Sequence, residues 1–592
     1  MSKKTLTGEL QYFLKTHFFL DLEPLKALQM AKRLKKFKNN INNDLPKVSI
    51  RILCNFNLEF IIDSIFFCFY QRGMFADISY SDFGTMFTEL LDPKSQTYIS
   101  KPDIIFIWPT YRDIQEYNIS VDKEVYFWQK LWDLPKNKKI EIVQCLFDKP
   151  PFISMNNFQS NSMNSLISHI NKTNLELEKK FANEISFINL ETLQINVGSK
   201  NWHDYRMYAL CKQPFALEAI PEISQFLTSC IASKIGKSKK VLVMDLDNTL
   251  WGGEIGDLGE DGIILGKETS DGEGYVNFQS YIKQLADMGV LLAVCSKNNE
   301  DIVKKVFINH TDMLISLEDI SCFVANFKDK ALNISYIKKF LNVDYDSMVF
   351  IDDSKVECEW VKRSLPDVAV INLEGDPSTF ANQLDRQGLF IRSSITEEDK
   401  MRAKSFQAKK EIEKLKTNTN SLQSFLKSLN PVLVIEKIFP YALDRVEQLL
   451  LKTNQFKLNN TVYNKKQIEI NHKTILAMRF LDKLNDYGIV VILLLDFRDK
   501  KINIINWVMS CRVFSRNIEL AVLEILKKIA NNKSYKIISL EFIKSKKNIT
   551  AERVISKLGF KKNKNTAVYD LNVDDIAVNS NIKVKFLERF DK

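Results

Sequence analysis

Three apolar runs in this chain end in groups that can do phosphate chemistry. VLVMDLDNTLWGG reaches Asp245 and Asp247, one residue apart, before two glycines. VLLAVCSKN ends at Cys295 and Ser296, and SMVFIDDS at Asp352 and Asp353. Lys330 stands between them in NFKDKALNI. An unpaired buried charge is very costly, so acids at the mouth of an apolar strand need something to neutralise them. Carboxylates brought together there can hold a hard cation such as Mg2+, which takes oxygen ligands. An aspartate can also attack phosphorus directly. The Ser296 hydroxyl can donate to a phosphate oxygen, and Lys330 supplies a compact positive charge. Such a set handles a small phosphorylated substrate with a metal. The bland alternative is a group of acids that cap loops without chemistry.

These side chains need a scaffold that brings strand ends together. From Val241 onward, strands and helices alternate: VLVMDLD, YVNFQSYIKQLADMG, VLLAVCS, NEDIVKKVFINH, SCFVANF, DKALNISYIKKFLN, SMVFIDD, KVECEWVKRSL and VAVINL. Alternation of this kind predicts a parallel α/β sheet with ligands at the carboxyl ends of its strands. An earlier α/β region is marked by the strands KVSIRILCNFN, FADISYSDF, KPDIIFIWPTY, KKIEIVQCLFD and ISFINLETL. A third begins at Pro431, with strands VVILLLDFR, KINIINWVMSCRV and YKIISLEFI. A chain of 592 residues needs several cores. The expected order is helices over 1–46, an α/β domain over 47–215 and a linking helix over 216–238. The catalytic α/β domain follows over 239–390, then a helical connector over 391–430 and an α+β domain over 431–580.

Composition narrows the setting. The net charge of +10 is spread along the chain, with no dense basic block interleaved with aromatics, so nucleic acid is not an expected partner. The nine cysteines form no C-x-x-C pair and their number is odd, which points to free thiols in a reducing, cytoplasmic compartment. The first twenty residues lack an apolar stretch followed by a small-residue cleavage site. The apolar run 61–70 is shorter than the ~20 residues that cross a bilayer, so no membrane association is expected.

The four motifs DLDNTLW, Ser296, Lys330 and IDD, in that order, resemble the haloacid dehalogenase (HAD) superfamily. The resemblance implies Asp245 as nucleophile and Asp247 as general acid/base. It implies that Ser296 and Lys330 hold the phosphoryl group. It places Mg2+ on Asp245, on Asp247 through its carbonyl, and on Asp352 or Asp353. More narrowly, DLDNTLWGGEIGDLG, LLAVCSKN, NFKDKALNI and the later KTNQFKLNN resemble the FkbH-like proteins. These take the glyceryl unit of 1,3-bisphosphoglycerate, remove phosphate and load glyceryl onto the phosphopantetheine thiol of an acyl carrier protein. That activity implies a thiol carrier in the enzyme, for which Cys295 beside Ser296 is the candidate, with His310 as its base. Here Asp352-Asp353-Ser354-Lys355-Val356-Glu357 replaces the family's DDNPxE. The stretch between DLDNTLW and VCSKN leaves room for a short flap only, which suits a bulky substrate. The alternatives are a phosphatase of a small phosphorylated metabolite or sugar phosphate, and an N-acyltransferase of polysaccharide synthesis.

The flanking regions resemble further families. RILCNFNLEF, TELLDPKSQTY and KPDIIFIW resemble an SGNH-like α/β domain, but Cys54-Asn55-Phe56-Asn57 offers no Gly-Asp-Ser nucleophile and Trp202-His203-Asp204 lacks the Asp-x-x-His order. WVMSCRVFSRNIE and ISKLGF resemble a GNAT-like domain. Its Arg512-Val513-Phe514-Ser515-Arg516-Asn517 loop lacks the glycines that let a backbone approach the pyrophosphate of coenzyme A.

Overall fold

A computed structural model of the chain describes residues 18–37, 45–115, 119–150, 165–260, 262–392, 429–436 and most of 442–586. Three sheets carry its α/β and α+β architecture. The expected connector falls largely on 393–428, outside the described residues, as do parts of the expected N-terminal helices; the described part forms the helix Pro24–Lys35.

The first sheet holds β1 (Lys47–Leu53), β2 (Phe75–Tyr80), β3 (Ile104–Ile107), β4 (Glu141–Cys145) and β5 (Ser186–Ile188). Its order is β2-β1-β3-β4-β5 and every pairing is parallel. Helix Val121–Asn137 buries Trp128 and Trp132, whose indole N–H groups donate to Glu124 (2.9 Å) and Gln144 (2.8 Å). The run 61–70 lies within the core helix Glu59–Gln71. Among the described residues, no helix is long and apolar enough to cross a membrane. ISFINLETL splits: β5 stops at Ile188, and Asn189 accepts the Glu191 N–H at 2.9 Å to start a short helix.

The chain divides into two compact units, and the first takes in helix Ile220–Lys234 and the stretch Asn382–Ser393. The sequence reading treats 216–238 as a link and runs the catalytic domain to 390. Polar contacts account for the difference. Gln225 donates its amide to the Gln387 carbonyl at 2.8 Å, and Arg72 donates to the Gly388 carbonyl at 3.2 Å and to the Ser229 hydroxyl.

The second unit contains the other two sheets. One holds β6 (Val241–Met244), β7 (Leu291–Ser296), β8 (Ile320–Ala325), β9 (Met348–Asp352) and β10 (Ala369–Asn372), in the order β10-β9-β6-β7-β8 and parallel throughout. β6 to β9 are buried at every position, as strands covered on both faces must be. β6 lies between β7 and β9, so the connections from these strands leave in opposite directions. Loops diverge at such a switch point and open a crevice at the strands' carboxyl ends.

The third sheet has β11 (Val432–Glu436), β12 (Ile475–Leu481), β13 (Asp486–Arg498), β14 (Lys501–Met509), β15 (Ile537–Glu541), β16 (Lys561–Lys562), β17 (Val568–Asn572) and β18 (Lys583–Phe586). Its order is β16-β17-β15-β14-β13-β12-β11-β18. Asp499 and Lys500, both at φ +55°, make the two-residue turn between β13 and β14, the backbone that a tight hairpin requires.

Candidate active site

β6 carries Asp245 to the crevice, where its N–H donates to the Ile351 carbonyl at 3.1 Å and extends the pairing with β9. The chain then turns sharply. Asn248 takes a left-handed conformation (φ +53°), and its side chain accepts the Gly253 N–H at 2.8 Å. Gly252 exchanges two backbone hydrogen bonds with Ile264, at 2.9 and 2.8 Å, closing a short flap that holds the four-residue helix Ile255–Leu258. A Cβ on Gly252 would lie 2.9 Å from the Tyr275 ring and 3.0 Å from Ile264 Cβ, so the flap closes this tightly only on glycine.

This turn sends Asp245 and Asp247 different ways. Asp245, Asp352 and Asp353 each bring an oxygen within 4.8 Å of the others. Asp247 Oδ1 accepts from the Trp251 indole (2.9 Å) and the Ile255 N–H (3.2 Å), and its Oδ2 accepts from the Asn298 amide at 2.9 Å. The Asp247 carboxylate is therefore engaged outside the acidic cluster, and the expected metal ligand at this position is its backbone carbonyl.

Lys330 neutralises part of the cluster. It begins helix Lys330–Leu341, whose N-cap Asp329 accepts the Leu332 N–H at 3.0 Å. Its ammonium lies 3.1 Å from Asp245 Oδ2 and 2.5 Å from Asp352 Oδ2. Burial pulls Lys330 down, but the two carboxylates outweigh it and hold the ammonium above its ordinary range. Burial raises Asp245, opposed by Lys330 and the Ser296 hydrogen bond. Burial and then the Asp245 charge push Asp352 up to about 7 and raise Asp353 as well. Asp245 Oδ1 is buried without a hydrogen-bond partner. Three acids against one ammonium leave negative charge in a desolvated site, which carboxylates tolerate only with a compensating cation or a bound proton. The donor set, all carboxylate oxygen with one orphaned, fits a hard divalent ion.

Ser296, at the end of β7, faces this cluster and also accepts from the Asn298 amide at 3.1 Å. Asn298 ties Ser296 to Asp247, a role missed in the sequence although VCSKN places it two residues past Ser296. Lys355, the departure from the family motif, heads helix Lys355–Ser364 and is exposed.

Cys295 is not at the site. Successive residues of a strand face opposite sides, so Ser296 reaches the crevice while Cys295 packs among Val243, Val324, Ile334 and Phe350. It is fully buried, its thiol points to the Lys330 carbonyl at 3.7 Å, and burial raises it far from thiolate formation. His310 does not pair with it. Cys295 is opposite Val324, whereas Phe307 of helix Glu300–Asn309 packs on Phe323, on the other face of the sheet. His310 follows that helix, and its Nδ1 accepts the Asp312 N–H at 3.3 Å.

The first unit shows no assembled hydrolytic triad among the described residues. Cys54 is buried with its thiol on the Phe56 carbonyl, and Asn55 donates to Asp113 at 2.8 Å. His203 lies 3.9 Å from Asp148, while Asp204 caps the helix Tyr205–Cys211.

Comparison with known proteins agrees with this geometry. A family model described as FkbH, N-terminal domain, matches residues 49–232. The chain is similar to the crystal structure of the N-terminal part of a Bacteroides fragilis protein that contains a phosphatase domain, complexed with Mg. The two share 28% identity over 61% of this chain and 99% of the other, with a TM-score of 0.56. The ribosomal-protein-S18-alanine N-acetyltransferase of Escherichia coli aligns at 12% identity over 24% of this chain and 94% of its own, with a TM-score of 0.19. No curated protein matches. The fold is that of a HAD-type, phosphatase-like protein.

Proposed function

We propose that this protein removes phosphoryl groups from a small substrate through an aspartyl-phosphate on Asp245, with Mg2+ as cofactor. The observation that carries this reading is the buried cluster of Asp245, Asp352 and Asp353 braced by Lys330. A bound Mg2+ would offset the carboxylate and phosphate charges and polarise the phosphoryl oxygens. Asp245, Asp352 and Asp353 are the residues that would hold it. Asp245 attacks phosphorus, and the bond from phosphorus to the leaving oxygen breaks. Lys330 and Ser296 stabilise the charge that spreads over the phosphoryl oxygens. Asp247, oriented by Trp251, Ile255 and Asn298, gives its proton to the leaving oxygen and then takes one from the water that attacks the aspartyl-phosphate and releases phosphate. Free thiols at all eight described cysteines fit a cytoplasmic setting.

The match to FkbH supports a finer reading in which the substrate is 1,3-bisphosphoglycerate and an acyl carrier protein is the partner. Asp245 then hydrolyses the 3-phosphate ester. The carrier's phosphopantetheine thiol attacks the acyl carbon, the 1-phosphate leaves, and a glyceryl thioester forms. With Cys295 in the core, the carrier thiol acts without an enzyme thioester.

Both readings are tested by following phosphate release from p-nitrophenyl phosphate and the intact mass of an acyl carrier protein incubated with 1,3-bisphosphoglycerate. Release that needs Mg2+ and is abolished by Asp245→Asn supports the phosphatase reading; undiminished release by the variant refutes it. A carrier that gains one glyceryl group supports the finer reading, and an unchanged carrier beside released phosphate refutes it.

A further inference from the structure

The third sheet opens between β14 and β15. These strands pair in parallel only from Lys501 opposite Ile537 to Ile504 opposite Leu540. At that point the register of β13 and β14 shifts between Leu494 and Leu495, and Ile505 turns outward to 45% exposure. Beyond it the backbone groups of β14 must find another partner. In a GNAT-like domain, the pantetheine arm of an acyl-CoA could meet them, because its amides add to a sheet as an extra strand does. The pyrophosphate would then lie at the start of the next helix.

Here the chain's own residues 456–459 take that place. Met509, at the end of β14, donates its N–H to the Phe456 carbonyl at 3.1 Å, and Lys457 bridges to Val508. Ile543, just past β15, donates to the Leu458 carbonyl at 3.0 Å. Fully buried Asn506 accepts the Leu458 N–H at 3.2 Å and donates to Asn459 at 3.1 Å, while Asn459 donates to the Ile505 carbonyl at 2.8 Å. Asn548 donates to the Lys457 carbonyl at 3.1 Å. The Phe456 ring packs 5.3 Å from that of Trp507. The segment is thus bonded to both diverging strands and sealed by apolar packing.

At the pyrophosphate end, one cation of the loop is committed within the domain. Arg516 turns into the sheet to pair with the buried side chain of Asp482 and donates to the Tyr487 hydroxyl at 2.6 Å. Asn517, at φ +60°, precedes helix Ile518–Asn532 where a glycine would leave the backbone bare. Cys511, Arg512 and Ser515 of this loop lie outside the described residues.

We infer that this domain works without acyl-CoA, because residues 456–459 occupy the strand split that the pantetheine arm requires. Hydrogen exchange and thermal unfolding of the full chain, with and without acetyl-CoA at about 1 mM, test this. A ligand at a thousand times its Kd shifts the folding equilibrium roughly 1,000-fold, so a micromolar site would raise the melting temperature visibly. The expected result is an unchanged melting temperature, with equal protection of the Leu458, Met509 and Ile543 amides in both conditions. A rise in melting temperature, or altered exchange at these amides, overturns the inference.

Discussion

Lys330→Met removes the ammonium between two carboxylates and leaves a side chain of similar length. Lys330, Asp245 and Asp352 have side chains 4%, 9% and 0% exposed, so water cannot replace the lost charge. Breaking a buried pair on one side costs about 3–5 kcal/mol. At roughly 1–2 °C per kcal/mol for a unit of this size, the transition of the metal-free protein should fall by about 3–10 °C at pH 8. The pH dependence has a definite sign. Asp352 is raised from its ordinary 3.8 to about 7, so the folded state holds that proton more tightly than the unfolded chain. The metal-free wild type therefore gains stability as pH falls through about 7 and loses it as pH rises. Protonated acids need Lys330 less, so the variant's deficit should be smaller at pH 5 than at pH 8. Added Mg2+ should restore part of the loss at pH 8, because it supplies the missing charge. Calorimetry in EDTA and then in Mg2+ at both pH values reads all three effects. A variant within about 2 °C of wild type at pH 8, or one that loses more at pH 5, refutes the electrostatic account.

Other substitutions test the remaining parts of the site. Asn298→Ala frees Asp247 Oδ2 and Ser296 from their shared donor; phosphate release should fall about 10-fold or more, as for loss of one positioning hydrogen bond, with little change in melting temperature. Gly252→Ala forces a methyl against Tyr275 and Ile264, and should cost about 1–3 kcal/mol in denaturant unfolding while slowing turnover. Cys295→Ala deletes a core sulfur, and should cost about 1 kcal/mol while leaving phosphate release intact; loss of release in a folded Cys295→Ala protein would reinstate the thiol as a site group.

The site was legible wherever strand ends supply it. Apolar runs that close on Asp245, Ser296 and Asp352 marked both a parallel sheet and its ligand edge, since each run had to be buried and each polar terminus had to face the crevice. Lys330 was legible from its place in NFKDKALNI, between the acid-bearing strand ends, as the compact positive charge that they need. Cys295 misled through adjacency: it neighbours Ser296 in the chain, but the alternation of a strand sends it to the opposite face. That period was readable in VLLAVCS and should have outweighed proximity. Asn298 was not legible, because its worth lies in joining Ser296 to Asp247 across a loop. Neither was the membership of Ile220–Lys234, whose Gln225 donates to Gln387 and whose Ser229 accepts from Arg72, both more than 150 residues away in the chain. KTNQFKLNN stands out in the sequence as a motif, but only the hydrogen bonds of its residues 456–458 to β14 and Ile543 reveal their place beside the splitting strands.

The most direct test of the account is the identity of the group that carries phosphate. The protein is incubated with Mg2+ and a phosphorylated substrate, quenched in acid during turnover, digested, and mapped by mass. The account predicts one phosphoryl group on the peptide containing Asp245, absent from Asp245→Asn. Phosphate release with no adduct at Asp245, or an adduct that persists in Asp245→Asn, would contradict it.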